Sequence, residues 1–143
     1  MPRKKHISKQ LRLKVAQAAN HRCGYCLFPQ NLMGMPLTIE HIQPEAAGGS
    51  TSEENLWLAC RRCNDRKGTR TTGIDPQTGQ EQPLFNPREQ DWWEHFAWSE
   101  DGTEIVGRTT CGRVTIVTLH LNNPEIVTTR AMWVSAGWWP PQS

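Results

Sequence analysis

The sequence predicts an α+β fold: a core of strand, loop, strand and helix bracketed by two cysteine pairs, preceded by a helix and followed by a small extension of a hairpin and helices. Two observations carry the core. The pairs Cys23/Cys26 and Cys60/Cys63 bracket two segments, Leu37 to Ile42 and Leu56 to Leu58, that alternate as strands do. Gly48-Gly49-Ser-Thr-Ser between them reads as a loop, and Cys60 to Lys67 is helix-compatible and closed by Gly68. A third observation carries the extension, where Asp101-Gly102 stands between two hairpin-like segments.

Taken in order, residues 1–7 form a basic tail, expected to be disordered. Ser8 then caps a helix over residues 8 to 20, because Ile7, Leu11, Val15, Ala18 and Ala19 recur at helical spacing. Its polar face carries Lys9, Arg12 and Lys14. The core occupies residues 8–72. Residues 73–90, punctuated by Gly73, Asp75-Pro76, Gly79, Pro83 and Asn86-Pro87, read as a linker or surface loop. The extension covers residues 91–143. Within it Trp92 to Trp98 and Thr103 to Arg108 form the hairpin, Val114 to Leu121 fits both a strand and a helix, and Glu125 to Ala136 reads as a helix stopped by Gly137.

The net charge is only +2, but it is segregated. Residues 1 to 22 carry bases and no acid, and Arg61, Arg62, Arg66, Lys67 and Arg70 follow the second cysteine pair, while acids dominate beyond residue 70. A basic first half points toward a polyanion whose phosphates exchange counterions for Lys and Arg. Four of the five cysteines fall into C-x-x-C pairs, which suits metal binding in a reducing compartment better than a disulfide framework. No apolar run is long enough to span a bilayer or to serve as a signal peptide, so the expectation is a soluble cytoplasmic protein without membrane partners.

Two thiolate pairs complete a closed tetrahedral zinc site of the structural kind, with Gly24 giving the tight turn and Tyr25 and Leu27 covering the metal. On the helix that follows, Asn64 and Lys67 lie along a flank beside Cys60 and Cys63. His41 has the intrinsic pKa of a base that takes a proton from water near neutrality. Glu40 and Asn64 offer oxygen ligands to a hard divalent ion such as Mg²⁺, Mn²⁺ or Ni²⁺, and Lys67 is placed to steady a phosphate. Arg61, Arg62 and Arg66 are expected to contact the phosphate backbone. Adjacent strand residues face opposite ways, so Glu40 and His41 share a site only where the strand twists or ends. His95 and the seven Trp read as packing groups, and Cys111 as a small buried apolar residue.

The set C23-x-x-C26, E40-H41-I42-x-P44, G48-G49, N55-L56-x-L58-x-C60-x-x-C63-N64-x-x-K67 resembles the HNH endonuclease family in its four-cysteine, zinc-bearing branch. The resemblance implies a ββα-metal (His-Me) finger. It further implies His41 as general base, Glu40 and Asn64 as ligands of the catalytic metal, and Asn55 as the residue that bonds loop backbone and holds the His strand. P83-L-F-N86-P87-R88, E94-H95-F96-x-W98 and the closing W138-W-P-P are similar to an extension found in some small bacterial HNH proteins. The expected activity is metal-dependent hydrolysis of DNA leaving 5′-phosphate and 3′-hydroxyl ends. The rivals are a zinc-held nucleic-acid-binding module that does not cut, and an RNA-directed nuclease or toxin, since phosphate contacts carry no information about the sugar.

Overall fold

A computed structural model of the chain describes residues 6–142. Arg3, Lys4 and Lys5 of the expected basic tail lie outside the described residues. The chain divides into two compact units, Met1–Thr69 and Arg70–Ser143.

In the first unit α1 (Lys9–Ala18) starts where Ser8 Oγ accepts a hydrogen bond from Leu11 N–H, and it buries Val15. The cysteine turn follows, then a single helical turn, α2 (Gln30–Met33), ended by Gly34 in the left-handed region. Strands β1 (Thr38–His41) and β2 (Leu56–Ala59) pair antiparallel, with Glu40 opposite Trp57 and His41 opposite Leu56. Helix α3 (Arg61–Lys67) packs on both strands and completes a ββα unit. Its N-cap is Cys60, a cap that a thiolate near the positive helix end favours. The apolar alternation of β2 sends Leu56 and Leu58 into the core, where Tyr25 and the four paired cysteines are also buried.

The second unit begins with strands β3 (Thr72–Ile74) and β4 (Glu81–Pro83), which form an antiparallel hairpin. A linker or surface loop is expected over 73–90, and this hairpin stands there instead. Its carboxylate Asp75, fully buried, accepts from Gln77 N–H and Thr78 Oγ and pairs with Arg113 at 3.4 Å. After it, Leu84 and Phe85 enter the core. A one-turn helix α4 (Trp92–His95) leads into the expected hairpin of β5 (Phe96–Trp98) and β6 (Ile105–Gly107). The ambiguous segment is helical: α5 (Thr110–Leu119). Gly73 allows β3 to approach α5, since a Cβ there would collide with Thr118 Oγ1. Helix α6 (Pro124–Ser135) starts at an Asn123 cap with Pro in its first turn, and it buries Arg130. That guanidinium donates to the carbonyls of Leu121 (2.7 Å) and Thr103 (3.1 Å) and to Asn122 Oδ1 (3.1 Å), and lies 5.3 Å from the Trp98 ring centroid. Trp92, Trp98 and Trp139 pack on one another, Trp98 lying face-on to Trp92 and edge-on to Trp139. Trp138 is exposed, so the expectation that every Trp is a packing group does not hold for it.

Candidate active site

The cysteine turn is shaped by backbone before any metal is considered. Cys23 N–H donates to the Phe28 carbonyl (2.9 Å) and Leu27 N–H to the Cys23 carbonyl (3.0 Å), which folds Cys26 back beside Cys23. The left-handed residue of this turn is Leu27, at φ 63°, whereas Gly24 keeps an ordinary φ and donates to the Leu58 carbonyl of β2. Tyr25 N–H points at Cys23 Sγ (3.5 Å) and Cys63 N–H at Cys60 Sγ (3.4 Å). All four sulfurs are buried and lie within 4.8 Å of one another. The Cys26 and Cys60 sulfurs are 3.7 Å apart, close to the edge of about 3.8 Å that a tetrahedron with 2.3 Å zinc–sulfur bonds requires. Burial pushes the Cys23 thiol well above its ordinary range, while hydrogen bonds from the other three thiols pull Cys60 far below it. A divalent cation is the charge that lets such a dry cluster hold thiolates together, so the four-cysteine cluster fits a zinc site. Arg62 lies with its guanidinium 5.4 Å from the Phe28 ring centroid. Burial works against its charge, but the negative potential of Cys26, Cys63 and Cys60 outweighs burial.

The last residues of β1 divide between interior and surface. Glu40 is 2 % exposed, and its Oε1 accepts from the Tyr25 hydroxyl at 2.7 Å and pairs with Lys67 Nζ at 3.0 Å. Burial raises the Glu40 carboxyl above its usual range; Lys67 and Tyr25 pull it back only in part. Its other oxygen, Oε2, is buried with no hydrogen-bond partner among the described residues. Lys67, also 2 % exposed, donates to the Ile42 carbonyl (2.8 Å) and the His41 carbonyl (3.3 Å) as well. All three of its N–H bonds are thereby committed, so the expectation that Lys67 steadies a phosphate is corrected: its ammonium locks the end of α3 to the end of β1.

His41 is half-buried on the opposite face. Its Nε2 lies 2.9 Å from Thr51 Oγ1 and 3.1 Å from Glu45 Oε1. The loop that brings Thr51 there is tied by Asn55, whose side chain accepts from Gln43 N–H (2.9 Å) and donates to the carbonyls of Gln43 (2.9 Å) and Ser50 (2.8 Å). Gly49 is required at this crossing, because a Cβ would collide with the Gln43 carbonyl oxygen. Beside His41 runs an open groove whose lining includes Glu45, Asn64, Arg12 and His6. The Asn64 carboxamide makes no hydrogen bond to another described residue.

With this geometry in view, the family model for HNH endonuclease matches residues 23–70. These residues belong to the HNH endonuclease family. Among curated proteins, the Septu protein PtuB of Bacillus thuringiensis is 26 % identical over 117 residues, covering 78 % of this chain and 41 % of that protein. The CRISPR-associated endonuclease Cas9 of Corynebacterium diphtheriae is 40 % identical over 63 residues, covering 40 % of this chain and 5 % of Cas9. The chain thus spans less than half the length of the curated relatives it matches. No solved structure matches it significantly.

Within the HNH domain, His41 and Asn64 are brought to one groove, but Glu40 does not line it. The basic wall of the groove also differs from the sequence expectation. Arg12 and His6 stand on it, whereas Arg61 is 83 % exposed beside Asp65, Arg62 packs toward the cysteine cluster, and Arg66 is exposed on α3. Glu45 and Thr51 are contacts of His41 that sequence reasoning missed. The only available signal was local: Glu45 follows His41 by four residues, across Pro44, where a single helical turn returns the chain to the same face. No helix among the described residues is long and apolar enough to cross a membrane.

Proposed function

We propose that this chain is a metal-dependent endonuclease that hydrolyses DNA phosphodiester bonds and leaves 5′-phosphate and 3′-hydroxyl ends. The observation that carries this reading is the convergence on one groove, beside Arg12 of α1, of His41 and the Asn64 carboxamide, which has no hydrogen-bond partner among the described residues. In it His41 is the general base: its imidazole takes a proton from the attacking water as that water's oxygen bonds to phosphorus and the leaving oxygen departs. Asn64 offers its carboxamide oxygen in the groove to a hard divalent ion that keeps most of its waters, such as Mg²⁺ or Mn²⁺, whereas the expected second ligand, Glu40, is buried and does not line the groove. Such an ion, when bound, absorbs charge on the phosphate and leaving oxygens. Asn55 holds the loop beside the base, and Arg12 contacts the phosphate backbone along the groove. Zinc on Cys23, Cys26, Cys60 and Cys63 has a structural role, fixing α3 against the strands.

The test is incubation of the full chain with supercoiled plasmid and Mg²⁺, Mn²⁺ or Ni²⁺, beside an EDTA control and His41→Ala. Nicking that needs the metal and falls by roughly 100-fold or more in the variant is the expected result. Retention of the plasmid in a gel without nicking would instead identify a binding module, and cleavage of single-stranded or duplex RNA in preference to plasmid would redirect the reading to RNA.

A further inference from the structure

One nitrogen of His41 faces two oxygens, Thr51 Oγ1 and Glu45 Oε1, and the other has no hydrogen-bond partner among the described residues. An ionised carboxylate accepts hydrogen bonds and cannot donate them. The contact with Glu45 at 3.1 Å is therefore attractive only when Nε2 carries the hydrogen, which leaves the lone pair of the neutral ring on Nδ1.

Two independent pieces of backbone deliver these oxygens. Pro44 leads into the turn Glu45–Ala47, which returns Glu45 to the face of His41, and Gln43 Nε2 closes that turn on the Ala47 carbonyl at 2.8 Å. Thr51 arrives from the other side on the loop that Asn55 ties to Gln43 and Ser50. Both supports converge on Gln43, two residues after the histidine. The imidazole is thus held at one nitrogen from two sides, while its other nitrogen has no partner among the described residues.

We propose that Glu45 and Thr51 are positioning residues for His41: Glu45 selects the Nε2–H tautomer and the two together fix the ring orientation, so that Nδ1 is the atom that takes the proton. The assignment deepens the reading of His41 as general base and rests on it for its catalytic meaning. Glu45 is 46 % exposed on its side chain, so its contact adds little to folding stability and its variants are expected to fold.

The experiment joins a spectroscopic readout to a kinetic one on the full chain. Imidazole ¹⁵N spectra, with the His41 signals assigned by their loss in His41→Ala, report which nitrogen of the neutral ring bears hydrogen. The wild-type ring is expected as the Nε2–H tautomer, the Glu45→Ala/Thr51→Val double variant as a mixture, and Glu45→Gln, whose amide oxygen still accepts, close to wild type. On plasmid, kcat of the double variant is expected to fall by roughly 10- to 100-fold with KM little changed, and Glu45→Gln to recover most of it. A wild-type ring protonated on Nδ1, or a double variant with an unshifted tautomer ratio, would overturn the proposal whether or not the protein cuts. So would a loss confined to KM, or a Glu45→Gln defect reversed by raising the divalent-ion concentration, because either marks Glu45 as a substrate or metal contact. Failure of the nuclease reading is separable: equal nicking by His41→Ala removes the base and leaves the tautomer result standing.

Discussion

The cysteine cluster and the His41 groove share helix α3 yet are built in opposite ways. The cluster is closed: four buried sulfurs face one another, and Arg62, whose charge their negative potential favours, is itself packed on Phe28. The groove is open: the Asn64 carboxamide has no hydrogen-bond partner among the described residues, the His41 side chain is 20 % exposed and Glu45 reaches solvent. Softness and closure suit a metal that only holds shape, whereas a site that must admit water and phosphate needs unsaturated oxygen donors. Glu40 stands between these two designs. Its Oε1 is bonded to Tyr25 of the cysteine turn and Lys67 of α3, and its Oε2 is left over.

The comparison breaks most severely if the closed site turns out dispensable. Replacing Cys60 with Ser, or stripping metal with a strong chelator, is expected to unfold the first unit, a loss on the order of 10 kcal/mol for a structural zinc. Metal analysis and circular dichroism check it, and a folded, zinc-free chain would contradict the assignment. A smaller effect tests the link between the sites. Lys67→Met leaves the Glu40 carboxylate buried without its cation and two carbonyls without a donor, which should cost roughly 3–5 kcal/mol in denaturant unfolding while zinc stays bound. Zinc loss in that variant would show that the two sites are not separable. The smallest effect belongs to the open site's rim. Arg12→Ala should lower the slope of log affinity against log salt by about 1, equally for unrelated DNA sequences, with kcat nearly unchanged. A sequence-dependent loss would make Arg12 a base reader instead of a phosphate contact.

Much of the finger is legible in the sequence, for identifiable reasons. Ligand pairs must recur at fixed spacing, β2 must alternate to bury Leu56 and Leu58, and Ser8 and Cys60 mark their helix starts by chemistry. What the sequence hides is direction. A lysine at 67 offers the same residue type whether it reaches a phosphate or turns inward, and it is the Glu40 carboxylate with the two open carbonyls at the end of β1 that turns it inward. Glu40 and His41 are adjacent in sequence yet separated by the strand's alternation. The β3–β4 hairpin escapes notice because Thr-Gly-Ile and Glu-Gln-Pro lack apolar periodicity; its stability comes from Asp75 meeting Arg113, 38 residues further on, and from the bare Cα of Gly73 against α5. Val114 to Leu121 is balanced between strand and helix for a different reason. Its β-branched residues favour one and its spacing the other, and packing against both hairpins selects the helix.

Lys67 also explains why a change that preserves charge would not preserve this finger. Three acceptors, Glu40 Oε1 and the carbonyls of His41 and Ile42, surround one nitrogen, which is the directional pattern of a tetrahedral ammonium with three hydrogens. A guanidinium is flat, spreads five donors over three nitrogens and needs more room than a residue 2 % exposed can yield. Valence geometry, more than sign, is what this position selects, and arginine is excluded from it as firmly as an apolar side chain.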